Sequence, residues 1–146
     1  MRKFTAAIDI EACPQRVVAG LVDVERWPEW TPTMTEVRLL DGGPLAIGKR
    51  ALVRQPKLPP GIYTVTDLDA RGFTWVTGGR GMRLEAGHFV TATPSGTHLE
   101  LTLTFSGVLA PLVAYLYRKL SQGYLNTESV SLRQLLQGSS NSREPL

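Results

Sequence analysis

The stretch THLELTLTFSGVLAPLVAYLYRKL, residues 97–120, decides how this chain is built. From Thr97 to Phe105 apolar and polar residues alternate. Leu99, Leu101, Leu103 and Phe105 take one side, and His98, Glu100, Thr102 and Thr104 the other. A period of two marks a strand buried on one face. Gly107 breaks that pattern, and Pro111 sits where a first helical turn needs no N–H. The apolar residues then recur at helical spacing, as Leu109, Val113, Leu116, Leu120 and Tyr124, with Leu132, Leu135 and Leu136 further on. The spacing predicts one helix over Leu109–Leu136, roughly 40 Å long at ~1.5 Å per residue and able to cross a whole sheet.

Upstream of this stretch the chain reads as strands and turns. Met82–Ala92, Phe73–Thr77, Ile62–Leu68, Lys49–Arg54 and Val37–Leu40 carry strand patterns. They are separated by Pro94-Ser95-Gly96, Gly78-Gly79-Arg80-Gly81, Asp69-Ala70-Arg71-Gly72, the proline loop Gln55–Gly61, and Asp41-Gly42-Gly43-Pro44. Connections this short make consecutive strands antiparallel neighbours. Earlier still, Phe4–Ile10 reads as a first strand, and Cys13-Pro14 opens a short helix with Val17, Val18, Leu21 and Val22 on one face. Pro28 and Pro32 limit the next segment to a second short helix or turn carrying Trp27 and Trp30. The class is α+β, with a single domain over residues 1–137. After Gly138 no apolar periodicity remains, and residues 138–146 are expected to form a flexible tail.

Composition narrows the function. With 42% hydrophobic and 20% charged residues the chain is neither disordered nor fibrous. Leu101–Tyr117, 17 residues, is the longest C-terminal run without a charge, against the roughly 20 needed to span a membrane. The N-terminus lacks the apolar core of a signal peptide. Cys13 alone makes no internal disulfide, and with only His88 and His98 beside it no zinc site is expected. A cytoplasmic location fits these features. The net charge of +3 could suit an anionic ligand or a nucleic acid. No aromatic-interleaved stripe accompanies Arg50, Arg54, Lys57, Arg80 and Arg83, so no nucleic-acid partner is expected.

Strand parity follows the inward face from turn to turn. With Ser95-Gly96 as a two-residue turn, Ala92 opposes Leu99, Val90 opposes Leu101 and His88 opposes Leu103. With Gly78–Gly81 as a four-residue loop, Thr77 opposes Met82 and Trp75 opposes Leu84. The inward set is then Phe73, Trp75, Met82, Leu84, Ala86, His88 and Val90, and the next turn adds Leu68, Thr66, Thr64 and Ile62. A histidine, a tryptophan and threonines among aliphatics suit a ligand cavity better than a solid core, because a solid core leaves such polar groups without partners.

The order strand, two short helices, six strands, long helix resembles the START-like or Bet v 1-like helix-grip superfamily, in its polyketide cyclase/dehydrase and lipid-transport branch. The residues that carry the resemblance are Ile10-Glu11-Ala12-Cys13-Pro14, Val24-Glu25-Arg26-Trp27-Pro28-Glu29-Trp30, Ile47-Gly48-Lys49-Arg50, Val53-Arg54-Gln55-Pro56, Phe73-Thr74-Trp75, Gly87-His88-Phe89 and Phe105-Ser106-Gly107-Val108-Leu109-Ala110. They extend over nearly all of residues 2–137. The resemblance implies a curved seven-stranded antiparallel sheet wrapped around the C-terminal helix, with a deep cavity between them. Its mouth would lie near Trp27–Thr33, Gln55–Gly61 and Gly78–Gly81. No catalytic motif of the family can be placed on this chain.

The residues expected to touch a ligand are Trp30, Trp75, Met82, Leu84, His88, Leu103, Leu116, Leu120 and Tyr124. Trp27, Trp30 and Trp75 could form flat walls or simply pack. His88, Arg54 and Tyr124 are candidate proton handlers: His88 as acid or base, Arg54 to neutralise a ligand carboxylate or phenolate, Tyr124 through its hydroxyl. Gly78-Gly79-Arg80-Gly81 lacks the lysine of a phosphate loop, and no metal or cofactor is expected. The leading function is binding of a small hydrophobic or aromatic molecule of lipid, polyketide or isoprenoid type. Homodimerisation is compatible with that reading. The rivals are a polyketide aromatase/cyclase-dehydrase and a partner-binding adaptor with a vestigial cavity.

Overall fold

The computed structural model describes the backbone of residues 2–143, with side chains as far as Gly138. One antiparallel sheet contains β1 (Arg2–Ile10), β2 (Glu36–Leu39), β3 (Arg50–Arg54), β4 (Gly61–Asp69), β5 (Gly72–Gly79), β6 (Met82–Thr93) and β7 (Gly96–Ser106). Their spatial order is β1-β7-β6-β5-β4-β3-β2, so the first strand lies beside the last. Helices α1 (Pro14–Val22) and α2 (Trp27–Trp30) follow β1, joined by a 3-10 turn at Val24–Arg26, and α3 (Ala110–Leu116) and α4 (Arg118–Arg143) follow β7. The sheet curves around α4, which is the helix-grip arrangement that the resemblance implies.

Local chemistry explains these elements. Pro14 occupies the first turn of α1, and Val17 and Leu21 are its buried residues. Gly107, with φ of 104°, makes the passage from β7 to α3; a Cβ there would lie 2.5 Å from the carbonyl oxygen of Gly81. Hydrogen bonds among the described residues tie the far helix to the start of the chain. The Gln122 amide donates to the Thr5 carbonyl (2.9 Å), the Arg16 guanidinium to the Leu136 carbonyl (3.2 Å), and the Glu11 N–H to Gln137 Oε1 (3.0 Å). The polar side of the alternating strand faces outward, where His98 of β7 meets Asp9 of β1 at 2.8 Å.

Three expectations need correction. The predicted single helix is broken at Tyr117, whose φ and ψ of −103° and 14° leave the helical region. Hydrogen bonds from Tyr117 N–H to Val113 and from Ser121 N–H to Tyr117 still carry across the joint. The break re-phases the stripe, and α4 then continues to Arg143, past Leu136. Residues 144–146 of the expected tail lie outside the described residues.

The second correction is one of register. Ala92 pairs with Thr97 and His88 with Leu101, because the β6–β7 turn is Pro94-Ser95. Thr77 likewise pairs with Leu84, because the β5–β6 turn is Arg80-Gly81. Both shifts are by two residues, so every side chain stays on its expected face. The third lies in β4, where the register slips between Val65 and Asp67. That bulge at Thr66 reverses the parity beyond it. Leu68 packs inward as expected, but Tyr63 and Val65 are buried in place of Thr64 and Ile62, and Ile62 is exposed.

Candidate functional site

The inner face of β6 and β7 holds the first clue. Leu101 and Phe105 are buried, yet Leu103 between them is only half-buried, and so is Leu84 on the neighbouring strand. Both leucines line a cavity of about 310 Å³. Val113 of α3 and Leu120 and Leu125 of α4 form its helical wall, and Leu58, Pro59 and Pro60 of the proline loop border it together with Gly78. Native cores seldom leave voids much larger than a water molecule. This volume falls at the lower end of the roughly 300–1,000 Å³ that small-molecule sites occupy.

One end of the cavity is an aromatic block. Trp27 is buried and its indole N–H donates to the Leu21 carbonyl at 3.0 Å, which fixes the ring above the sheet. Its neighbours are Trp75 (ring centroids 5.4 Å apart), His88 (5.3 Å) and Phe73 (6.2 Å). The His88 ring stacks on Phe73 at 4.3 Å and 18°. Its Nδ1 lies 3.2 Å from the Phe73 carbonyl. A carbonyl only accepts, so Nδ1 carries the proton and Nε2 is left as an acceptor. Burial pushes the His88 pKa down to about 4, against the opposing backbone hydrogen bond. The imidazole is neutral at physiological pH.

The wall also contains Glu128 of α4, a carboxylate-bearing residue only 7% exposed. The Thr33 hydroxyl donates to its Oε2 at 2.9 Å, and Thr33 is in turn 2.9 Å from the Thr31 hydroxyl. Burial pushes the carboxyl pKa up to about 7, and the Thr33 hydrogen bond offsets only part of that. Tyr63 also lines the cavity; burial first, and the charge of Glu128 second, raise its phenol. The Tyr124 hydroxyl donates to the Pro56 carbonyl, tying α4 to the proline loop.

Of the residues expected at the site, Trp75, Met82, Leu84, His88, Leu103, Leu120 and Tyr124 stand together in the wall. Three do not. Leu116 is 64% exposed, because it lies at the fringe of the stripe and the break at Tyr117 turns it outward. Trp30 packs behind Trp27, ring centroids 6.1 Å apart, and does not reach the wall. Arg54 faces Glu36 across β2 and β3, its Nε 2.9 Å from Oε1, on the exposed side.

Sequence reasoning missed Glu128, Tyr63 and Thr33. Glu128 had a signal, since it lies four residues after Tyr124 and four before Leu132 on the same helical stripe. Tyr63 was hidden by the bulge.

The fold recurs in known proteins. Residues 1–136 match the family described as polyketide cyclase / dehydrase and lipid transport. No curated protein matches the chain closely enough to count as a relative. Among solved structures, a hypothetical protein of Helicobacter pylori is 12% identical, with a TM-score of 0.78 over 92% of this chain and 88% of its own. A START superfamily protein from Mycobacterium smegmatis is 16% identical, with a TM-score of 0.70 over 93% of this chain and 97% of its own. The di-domain ARO/CYC StfQ from the steffimycin biosynthetic pathway is 10% identical, with a TM-score of 0.72; the match covers 95% of this chain and 51% of StfQ. At such identities these likenesses speak to the fold alone, whereas the family match extends over nearly the whole sequence. The chain belongs to the polyketide cyclase/dehydrase and lipid transport family.

Proposed function

We propose that this protein holds a small, largely apolar molecule, of lipid, polyketide or isoprenoid type, in the cavity beneath α3 and α4. The observation that carries this reading is the pair Leu84 and Leu103. They stand on the inner face of the sheet and spend part of their surface on a cavity of about 310 Å³ instead of on neighbours. Leaving apolar area unburied costs about 25 cal/mol per Å², a cost that an apolar occupant removes. Native mass spectrometry of the protein purified from its own host tests this. The expected result is an adduct of one small molecule that organic solvent releases; a bare mass together with no uptake of apolar probes contradicts it.

A cyclase-dehydrase acting on a reactive polyketide is the second reading, and Glu128 favours it. A cavity-wall carboxyl with a pKa of about 7 can both give and take a proton near neutrality. His88 supports it less, because its imidazole stays neutral down to about pH 4 and its Nδ1 proton is committed to Phe73. Under this reading Glu128→Gln removes cyclisation activity while ligand binding persists. The adaptor reading draws no support from a cavity of this size.

A further inference from the structure

The polar groups of the cavity restrict what its occupant can carry. Glu128 is buried in the wall; Oε2 accepts from Thr33, and Oε1 has no hydrogen-bond partner among the described residues. No fully buried side-chain oxygen or nitrogen is left unsatisfied among those residues, so the unpartnered oxygen is open to the cavity. The Tyr63 hydroxyl is in the same position: buried, in the wall, and without a hydrogen-bond partner among the described residues. Both line the same cavity, Glu128 as an acceptor and Tyr63 as a donor; His88 Nε2 is a further acceptor in that wall.

The other charges of the wall are as informative. Among the described residues, no lysine or arginine lines the cavity. Lys57, within the proline loop, is exposed and does not line the cavity, and Arg54 beside the loop is held by Glu36 on the outer side. A ligand carboxylate placed here would face Glu128 without a cation to balance it, and an unpaired buried charge is costly. An ammonium group would meet the carboxyl of Glu128, but would have to surrender its hydration and could not accept from Tyr63.

Resting on the cavity reading above, we propose that Glu128 and Tyr63 together select an apolar molecule bearing a hydroxyl group, which donates to Glu128 Oε1 and accepts from the Tyr63 hydroxyl. A ligand carboxylate is disfavoured by the same pair whenever Glu128 is ionised. The rest of such a ligand lies along Leu84, Leu103 and Leu120, where the wall is apolar.

Four probes of one ring system separate this inference from the cavity reading beneath it: 2-methylnaphthalene, 2-naphthalenemethanol, 2-naphthylmethylamine and 2-naphthoate, titrated by calorimetry into the full chain. The alcohol is expected to bind about five- to tenfold tighter than the hydrocarbon, the worth of roughly one net buried hydrogen bond. The amine and the acid are expected to bind more weakly than the alcohol. Glu128→Leu should erase the advantage of the alcohol while leaving the hydrocarbon within about twofold, since the remaining apolar contacts are untouched. Glu128→Gln, which keeps the shape of the side chain and adds an amide donor, should raise the affinity for 2-naphthoate at least about tenfold. Equal binding of all four by the wild type, tighter binding of the amine or acid than of the alcohol, or an unchanged ranking in both variants overturns the inference and leaves the cavity reading standing. Binding of none of the four overturns both.

Discussion

The two halves of this protein's interior are built by opposite rules. At the α1–α2 end, Trp27, Phe73, Trp75 and His88 interlock with ring centroids 4.3–6.2 Å apart and almost no exposed surface. At the α3–α4 end, leucines on the same sheet face look across a cavity of about 310 Å³. One sheet thus carries a solid half that sets the fold's stability and a hollow half that can take a guest. The aromatic block also fixes the floor of the hollow, since Trp27, Trp75 and His88 belong to both.

The largest expected effect lies in the solid half. Trp27→Ala removes a fully buried indole and its hydrogen bond to Leu21, and should cost about 3–5 kcal/mol of unfolding free energy. Urea denaturation measures it; a loss below about 1 kcal/mol would mean that the aromatic block is not the stabilising half.

The two halves should also titrate in opposite directions. His88 has its pKa lowered from 6.5 to about 4, so between those values the unfolded chain binds a proton that the folded chain refuses. Stability falls as pH drops through that window. Glu128 has its pKa raised from 4.5 to about 7, so between those values the folded chain keeps a proton that the unfolded chain releases. Its contribution falls as pH rises. Each slope is at most ~1.4 kcal/mol per pH unit. Phe73, Trp27 and Trp75 pack around His88, whereas Glu128 is held by Thr33 and its charge acts on Tyr63 and Tyr124. Stability differences from His88→Gln and from Glu128→Gln, measured from pH 4 to 8, isolate the two contributions. Flat differences would show that neither side chain is as secluded as described.

Added volume sharpens the contrast further. Leu101→Trp, at a fully buried site, should cost roughly 1–3 kcal/mol of overpacking, whereas Leu103→Trp, two residues along the same face, should cost less than about 1 kcal/mol. Similar costs at both positions would remove the distinction between solid and hollow. The smallest effect is expected at Leu116. Its exposure places Leu116→Asp within ~0.5 kcal/mol of the wild type, and a severe loss would mean that α3 turns the other face inward.

How much of this was legible in the sequence depends on how local the signal is. The switch from period two to helical spacing around Gly107 is contained in a dozen residues, and it located the last strand and the helices that follow. Parity along β5, β6 and β7 survived two misread turns because both errors were by two residues. A one-residue bulge at Thr66 carries no such protection, and it moved Tyr63 into the wall in place of Ile62. Leu116 illustrates the limit of a stripe drawn through apolar residues only. It was apolar and fell near the stripe, but the break at Tyr117 lies in backbone angles that side-chain patterning does not encode. Glu128 is the converse: it is on the stripe, but a charged residue reads as solvent-facing until the fold supplies Thr33 from the α2–β2 segment to hold it.

The central claim is that the hollow half takes an apolar guest, and a fluorescence titration with N-phenyl-1-naphthylamine of the wild type and of Leu103→Trp tests it most directly. The account predicts saturable uptake of one probe per wild-type chain, with quenching of the emission of Trp27 and Trp75, and at least about tenfold weaker binding once the tryptophan fills the cavity. Folded wild type that binds no probe, or a folded Leu103→Trp variant that binds it as well as the wild type, would contradict the claim.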